Sequence, residues 1–238
     1  MDRLLVALDV DTADAARQMA DQLRGVVGGF KIGSRLFTSH GPRFVEELVG
    51  CGDRVFLDLK YHDIPNTVAG AVAAATRLGV WMVDVHAAGG ATMMRAARAA
   101  ADEEAAKLSR QPPLIVAITM LTSLNEAALD EIGFASSIEV QVERLAALAQ
   151  SAGLDGVVAS PQEIGIIRSR CGSRFTIVTP GIRGSDDAMG DQSRTMTAGD
   201  ALSKGSSYLV VGRPIIAAEN PRAAAERIAA ECQGTTAA

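Results

Sequence analysis

The sequence predicts a single-domain α/β fold of the (β/α)8 TIM-barrel type, and three observations carry that expectation. Short β-rich runs alternate with Ala-rich helical stretches about every 20 to 35 residues, as in the βα units of a parallel sheet. Eight such pairs occupy 238 residues, close to the ~250 typical of an eightfold barrel. The runs are apolar almost throughout, as strands covered on both faces must be.

Taken in order, the first run spans residues 4–9, closes on Asp9 and precedes a helical pattern over 13–23. The second spans 26–33 and contains Lys31; its helix is expected over 41–49. Runs three and four, 55–60 and 81–86, are followed by helical spacing over 67–78 and 91–108. Runs five and six, 114–119 and 156–160, lead into helices over 137–152 and 161–170. Runs seven and eight, 175–180 and 208–212, precede helices over 198–204 and 221–231, and the tail 233–238 is expected to fray. Two connections, 122–136 and 182–197, are long, polar and acidic, the kind of loop that is usually functional or mobile. No composition break or Pro/Gly/Ser linker divides the chain, so residues 1–238 are expected to form one domain. An open doubly wound sheet is the other architecture this alternation permits.

Composition narrows the function classes. Hydrophobic residues make up 48% of the chain and charged residues 21%, with 23 Gly and 8 Pro, which suits a large core rather than a disordered or collagen-like chain. A net charge of -5 argues against a generic nucleic-acid binder, because such binding rests on clustered Lys and Arg. A local phosphate pocket stays open. Cys51, Cys171 and Cys232 are odd in number and far apart, so neither a disulfide framework nor a CxxC site is expected, and a reducing cytoplasm fits. The first apolar run meets Asp9 within one strand length, so neither a secretion signal nor a membrane span is expected. GxSxG, HExxH, P-loop and GxGxxG patterns are missing, which sets aside the commonest hydrolase, zinc and dinucleotide alternatives.

In a barrel of this kind, chemistry sits where the strands end at their C-termini. Asp9 ends run one, Lys31 lies near the end of run two, Asp58 and Lys60 end run three, and Asp84 and His86 end run four. Thr119 and Thr122 follow run five, Ser160 run six, and Arg183 and Arg213 trail runs seven and eight. One such charge alone would be an ordinary solvated strand end or helix cap; the convergence of several points to a site. Run three is the most informative. Period-two alternation places Asp58 and Lys60 on one face, with Leu57 and Leu59 on the other. Lys31 adds a cation from the neighbouring strand and Asp63 an anion from the loop, an alternating set in which each charge can hold its neighbours ionised. His40 and His62 lack metal-spaced partners, His86 reads as a structural histidine, and Trp81 reads as barrel packing.

The stretch Asp58-Leu59-Lys60-Tyr61-His62-Asp63-Ile64-Pro65-Asn66-Thr67 resembles the DxKxxD signature of the orotidine 5'-phosphate decarboxylase family. Further segments look like that family's in the same order, and together they cover the chain. They are Ala7-Leu8-Asp9, Phe30-Lys31-Ile32-Gly33, Val85-His86-Ala87-Ala88-Gly89-Gly90 and Leu121-Thr122-Ser123, then Asp155-Gly156-Val157-Val158, Thr179-Pro180-Gly181-Ile182-Arg183, Asp191-Gln192 and Val211-Gly212-Arg213. DxKxxD alone is shared with related phosphate-sugar enzymes; the ordered set, above all Thr-Pro-Gly-Ile-Arg with Val-Gly-Arg, is far more specific.

The resemblance implies loss of CO2 from the orotate ring of orotidine 5'-monophosphate to give uridine 5'-monophosphate in de novo pyrimidine biosynthesis, with no metal or organic cofactor. It also implies a homodimer with shared sites, and neither nucleic-acid nor membrane partners. Lys60 would be the cation and proton donor, Asp58 would lie beside the substrate carboxylate, Lys31 would hold Asp58 ionised and touch the ribose, and Asp9 would accept a ribose hydroxyl. Gly212 and Arg213 would take the phosphate, with Arg183 and Gln192 on or beside a loop that closes over it. Thr122 or Ser123 would meet the pyrimidine edge, and Ile64 would be a further substrate-binding position. Asp63 and Thr67 would cross a two-fold interface into the partner's site. Two other readings compete. A metal-dependent keto-acid-phosphate decarboxylase or epimerase would share the strand-three signature, although Lys31 and Lys60 crowd the place of its acidic ligands. A non-catalytic phosphate-ligand binder would not need the full acid and base set.

Overall fold

The computed structural model describes residues 2–183 and 196–233. Eight parallel strands close into a barrel in sequence order: β1 (Leu4–Ala7), β2 (Gly29–Gly33), β3 (Val55–Tyr61), β4 (Met82–His86), β5 (Leu114–Ile118), β6 (Gly156–Val158), β7 (Thr176–Thr179) and β8 (Tyr208–Val211). Closure comes from β8 pairing with β1, Leu4 opposite Leu209 and Val6 opposite Val211. The open doubly wound alternative is thereby set aside. Seven of the expected runs contain their strands, and β3 extends one residue past its run, to Tyr61. Asp9, Ser160, Pro180 and Gly212 lie just past the ladder, in the loops at the barrel's C-terminal mouth.

The helices are α1 (Ala13–Leu23), α2 (Ser34–Gly50), α3 (Pro65–Arg77), α4 (Gly90–Lys107), α5 (Glu126–Glu131), α6 (Ile138–Ser151), α7 (Ile164–Cys171), α8 (Ala198–Ser203), α9 (Arg213–Ile216) and α10 (Pro221–Gln233). Four depart from the sequence reading, one of them α9, a short turn of helix where no helix was expected. Helix α2 begins at Ser34 rather than at residue 41, and it is broken inside by Gly41 at φ 68° with Pro42 next, so only its second half carried the expected pattern. Helix α5 lies within the connection expected to be a loop, started by Asn125, whose side chain accepts the Ala128 N–H at 2.9 Å. Helix α10 reaches Gln233, the first residue of the stretch expected to fray; the rest of that stretch lies outside the described residues.

Strand alternation divides the core into two layers. Inward-facing Leu5, Phe56, Met82, Val116, Val178 and Val210 fill the barrel, floored by Trp81 edge-on to Tyr208 at 5.0 Å between ring centroids. Outward-facing Val6, Ile32, Leu57, Val83, Ile177 and Leu209 are buried under the helices. Each such aliphatic or aromatic side chain contributes about 1.5–3 kcal/mol relative to an exposed one. Polar side chains on the inward face therefore have one place to go, the upper layer beneath the mouth.

Candidate active site

Three strands bring four charged side chains together there. Lys31 points inward from β2, and its Nζ lies 3.1 Å from Asp58 Oδ2 and 3.4 Å from Asp9 Oδ1. Lys60 Nζ donates to Asp58 Oδ1, so that Asp58 sits between two ammonium groups. The order Asp9, Lys31, Asp58, Lys60 alternates in sign. Lys31 and Asp58 side chains keep only 12% exposure each, whereas Lys60 keeps 39% and faces the opening.

Burial and charge compete at each group. Burial pushes the Lys31 ammonium down, but the carboxylates of Asp58 and Asp9 outweigh it and raise its pKa. Burial pushes the Asp58 carboxyl up, yet Lys31, the neighbouring Asp84 carboxyl and Lys60 together hold it well below the usual carboxylate range. At an effective dielectric near 20, one contact of opposite unit charges at 4 Å is worth about 4 kcal/mol, enough to fix charge state and position together.

The backbone that aims Lys60 is irregular. Pairing between β3 and β4 is regular as far as Leu57 opposite Val83, then shifts so that Tyr61 faces Val85. Three residues of β3, Asp58 to Lys60, thus face one residue of β4, Asp84. Lys60 has φ 53°, in the left-handed region, at a cost of about 1–2 kcal/mol for a residue with a Cβ. Its N–H donates to Asp84 Oδ1 at 2.8 Å in place of a ladder carbonyl.

A cavity of about 270 Å³ opens above these charges. Of the residues singled out in the sequence, Asp9, Lys31, Asp58, Lys60, Thr122, Arg183, Gly212 and Arg213 line it. Thr122 lines it and Ser123 does not, which separates two hydroxyls that the sequence left equivalent. Gly212 sits where an added Cβ would meet Ala7 Cβ at 3.7 Å and Asp9 Oδ2 at 3.9 Å, ordinary contacts. Packing within the chain thus does not demand glycine there, and the missing side chain leaves room above Asp9. Arg183 follows Ile182, which bridges to Met196, and the Arg183 N–H donates to Met196 O at 3.0 Å. The two ends of the connection are therefore pinned together at the cavity edge. Gln192 lies outside the described residues.

Asp63, Ile64 and Thr67 are exposed and do not line the cavity of their own chain. Asp63 Oδ1 accepts the Ile64 N–H at 2.6 Å, and Ile64 is 67% exposed. The second anion that the sequence placed beside Lys31 and Lys60 is accordingly Asp9 within one chain, because Asp63 lies beyond the end of β3. His86 Nδ1 accepts the Ala88 N–H at 3.3 Å and its ring stacks on His62 at 5.0 Å, a structural arrangement. Burial, then His62 and Lys60, lower the His86 pKa. Asp84 is the cavity residue whose part was missed; its signal was an acid on the inward face of a strand that is apolar up to that point. Among the described residues no group of three or more His, Cys, Asp and Glu side chains is placed to hold a metal ion.

Comparison with known proteins agrees with this geometry. Residues 2–228 match the family model described as "Orotidine 5'-phosphate decarboxylase / HUMPS family". The orotidine 5'-phosphate decarboxylase of Moorella thermoacetica is 54% identical over 233 residues, covering 98% of this chain and 92% of the relative. That of Syntrophotalea carbinolica is 52% identical over 96% of this chain and 94% of its own. Among solved structures, the orotidine 5'-phosphate decarboxylase of Lactobacillus acidophilus superposes with a TM-score of 0.86 at 35% identity, covering 96% of this chain and 98% of that one.

Proposed function

The chain belongs to the orotidine 5'-phosphate decarboxylase / HUMPS family, and from that premise we propose that it removes CO2 from orotidine 5'-monophosphate to give uridine 5'-monophosphate in pyrimidine biosynthesis. The observation that carries this reading is the alternating Asp9, Lys31, Asp58, Lys60 row beneath a cavity whose other rim holds Gly212 and Arg213.

Each group has a role that its position supports. The Arg213 guanidinium takes the phosphate through its planar fork, and Gly212 lets the backbone approach. Asp9 and Lys31 meet the ribose hydroxyls, and Thr122 meets the pyrimidine edge. With the nucleotide so held, the substrate carboxylate comes to lie beside Asp58. Two like charges there disfavour the bound ground state relative to a transition state in which the carboxylate becomes neutral CO2. The carbon–carbon bond breaks, its electron pair stays on the ring carbon, and the Lys60 ammonium both stabilises that charge and delivers the proton. Lys60 is then reprotonated from solvent. Arg183 and Gln192 close over the phosphate, a role resting on the family resemblance.

The active species is proposed to be a homodimer in which Asp63 and Thr67 reach the partner's cavity, which agrees with their exposure and their absence from the lining of their own. Ile64 is proposed to contribute to substrate binding beside them. Among the described residues no helix is long and apolar enough to cross a membrane, and a cytoplasmic location is proposed. Neither a metal nor an organic cofactor is required in this scheme. A metal-dependent relative acting on a sugar phosphate needs acidic ligands where Lys31 and Lys60 stand. The test is the absorbance change of orotidine 5'-monophosphate with purified, EDTA-treated protein: turnover supports the scheme, and an inert protein that instead turns over a keto-acid sugar phosphate once a divalent cation is restored supports the metal-dependent alternative.

A further inference from the structure

We infer that Asp84 is a positioning residue that acts as a neutral carboxylic acid, holding the Lys60 backbone through Oδ1 and steadying the Asp58 carboxylate through a proton on Oδ2. The inference rests on the decarboxylase reading for its kinetic consequence, and on geometry for the rest.

The bulge between β3 and β4 takes the Lys60 N–H out of the ladder, and an unmatched buried donor is costly. Asp84 Oδ1 supplies the acceptor at 2.8 Å, which lets Lys60 keep φ 53° and present its side chain beside Asp58. Asp84 itself is fully buried, and its Oδ2 has no hydrogen-bond partner. Two carboxylates sharing a site do not both ionise. Asp58 takes the charge, because Lys31 and Lys60 both ion-pair with it. The proton then belongs on Asp84, where it turns the orphan oxygen into a donor toward Asp58. Burial first and the Asp58 charge second push the Asp84 carboxyl far above its ordinary range, in agreement.

The groups facing it are few. Strand β3 presents Asp58, Lys60 and Tyr61, whose phenol is pushed up to about 12, chiefly by burial. Lys31 acts from β2 through Asp58. Strand β5 carries no titratable residue, and on its own strand the neighbour is His86, lowered by burial, His62 and Lys60.

An amide reproduces both contacts: Asp84→Asn keeps an acceptor for Lys60 and an N–H for Asp58, whereas Asp84→Ala keeps neither. We expect D84N to hold kcat within about threefold of wild type and D84A to lose about ten- to a hundredfold in kcat with little change in KM. Infrared difference spectra of Asp-labelled wild type against D84N at neutral pH should show one protonated-carboxyl band that D84N lacks. The proposal is overturned if that band is missing, if D84A matches wild type, or if D84N loses as much as D84A. Should D84A fail to fold, the band and the D84N rate decide. Should wild type fail to turn over orotidine 5'-monophosphate, the decarboxylase reading falls, while the band still tests the proton.

Discussion

At the scale of single residues the site is a contest over protons, and Asp58 and Asp84 resolve it in opposite directions. Asp58 is held ionised, so its contribution to stability is present above the ordinary carboxylate pKa of about 3.9 and is lost as pH falls below it. Asp84 is held neutral, whereas the same residue in the unfolded chain releases its proton above about pH 3.9. Above that pH the unfolded state binds fewer protons at this position than the folded one, and stability is lost as pH rises. Asp84→Asn removes this penalty. Its stability relative to wild type should therefore increase between about pH 4 and 7, by up to about 1.4 kcal/mol per pH unit, in chemical denaturation at a series of pH values. A difference that stays flat across this range would mean that Asp84 ionises in the fold as it does in the unfolded chain.

Elements decide what these residues can reach, and the turn from β8 into α9 carries a prediction of its own. Arg213→Ala should lower kcat/KM for the phosphorylated nucleotide by about ten- to a hundredfold, the worth of a charge-assisted hydrogen bond. A nucleoside lacking phosphate should be processed equally by both proteins; equal losses on both substrates would make Arg213 a structural residue. Gly212→Ala should raise KM for the phosphorylated nucleotide through the space its Cβ fills, because within the chain that Cβ meets only ordinary contacts. KM measured on both proteins checks this. Elements are also where the sequence was most and least legible. Apolar runs ending in Asp9, Lys31, Asp58 and Lys60 announced strands with a polar mouth, and alternation alone put Asp58 and Lys60 on one face. The bulge after Leu57 was hidden, because no Gly or Pro marks it and a tertiary contact from Asp84 supports it. The first half of α2 and the short α5 were hidden as well, each too brief for helical periodicity to show. Thr122 and Ser123 were inseparable until the loop's path placed one of them over the cavity.

For the whole molecule, the question is whether one chain makes a complete site. Asp63 is engaged locally with the Ile64 N–H and stands outside its own cavity, so a site shared across a two-fold axis and a purely local turn predict different outcomes. Lys60→Ala and Asp63→Ala proteins should each be severely impaired. When equal amounts are mixed and subunits exchange, about half the dimers are mixed and each has one site with both groups intact, so activity should recover to roughly a quarter of wild type. If Asp63 acts only within its own chain, proven exchange restores nothing. The proposed reaction depends on the Lys60 ammonium delivering a proton to the carbon that CO2 leaves, with no metal taking part. Its most direct test is turnover of orotidine 5'-monophosphate by EDTA-treated wild-type and Lys60→Ala proteins, with uridine 5'-monophosphate and CO2 both quantified and product affinity measured alongside. Wild type should release the two products in equal amounts, and Lys60→Ala should lose at least about a thousandfold in kcat while binding the product nearly as well. Turnover by Lys60→Ala within about tenfold of wild type would contradict the account, and so would a wild-type protein that is inert until a metal is added.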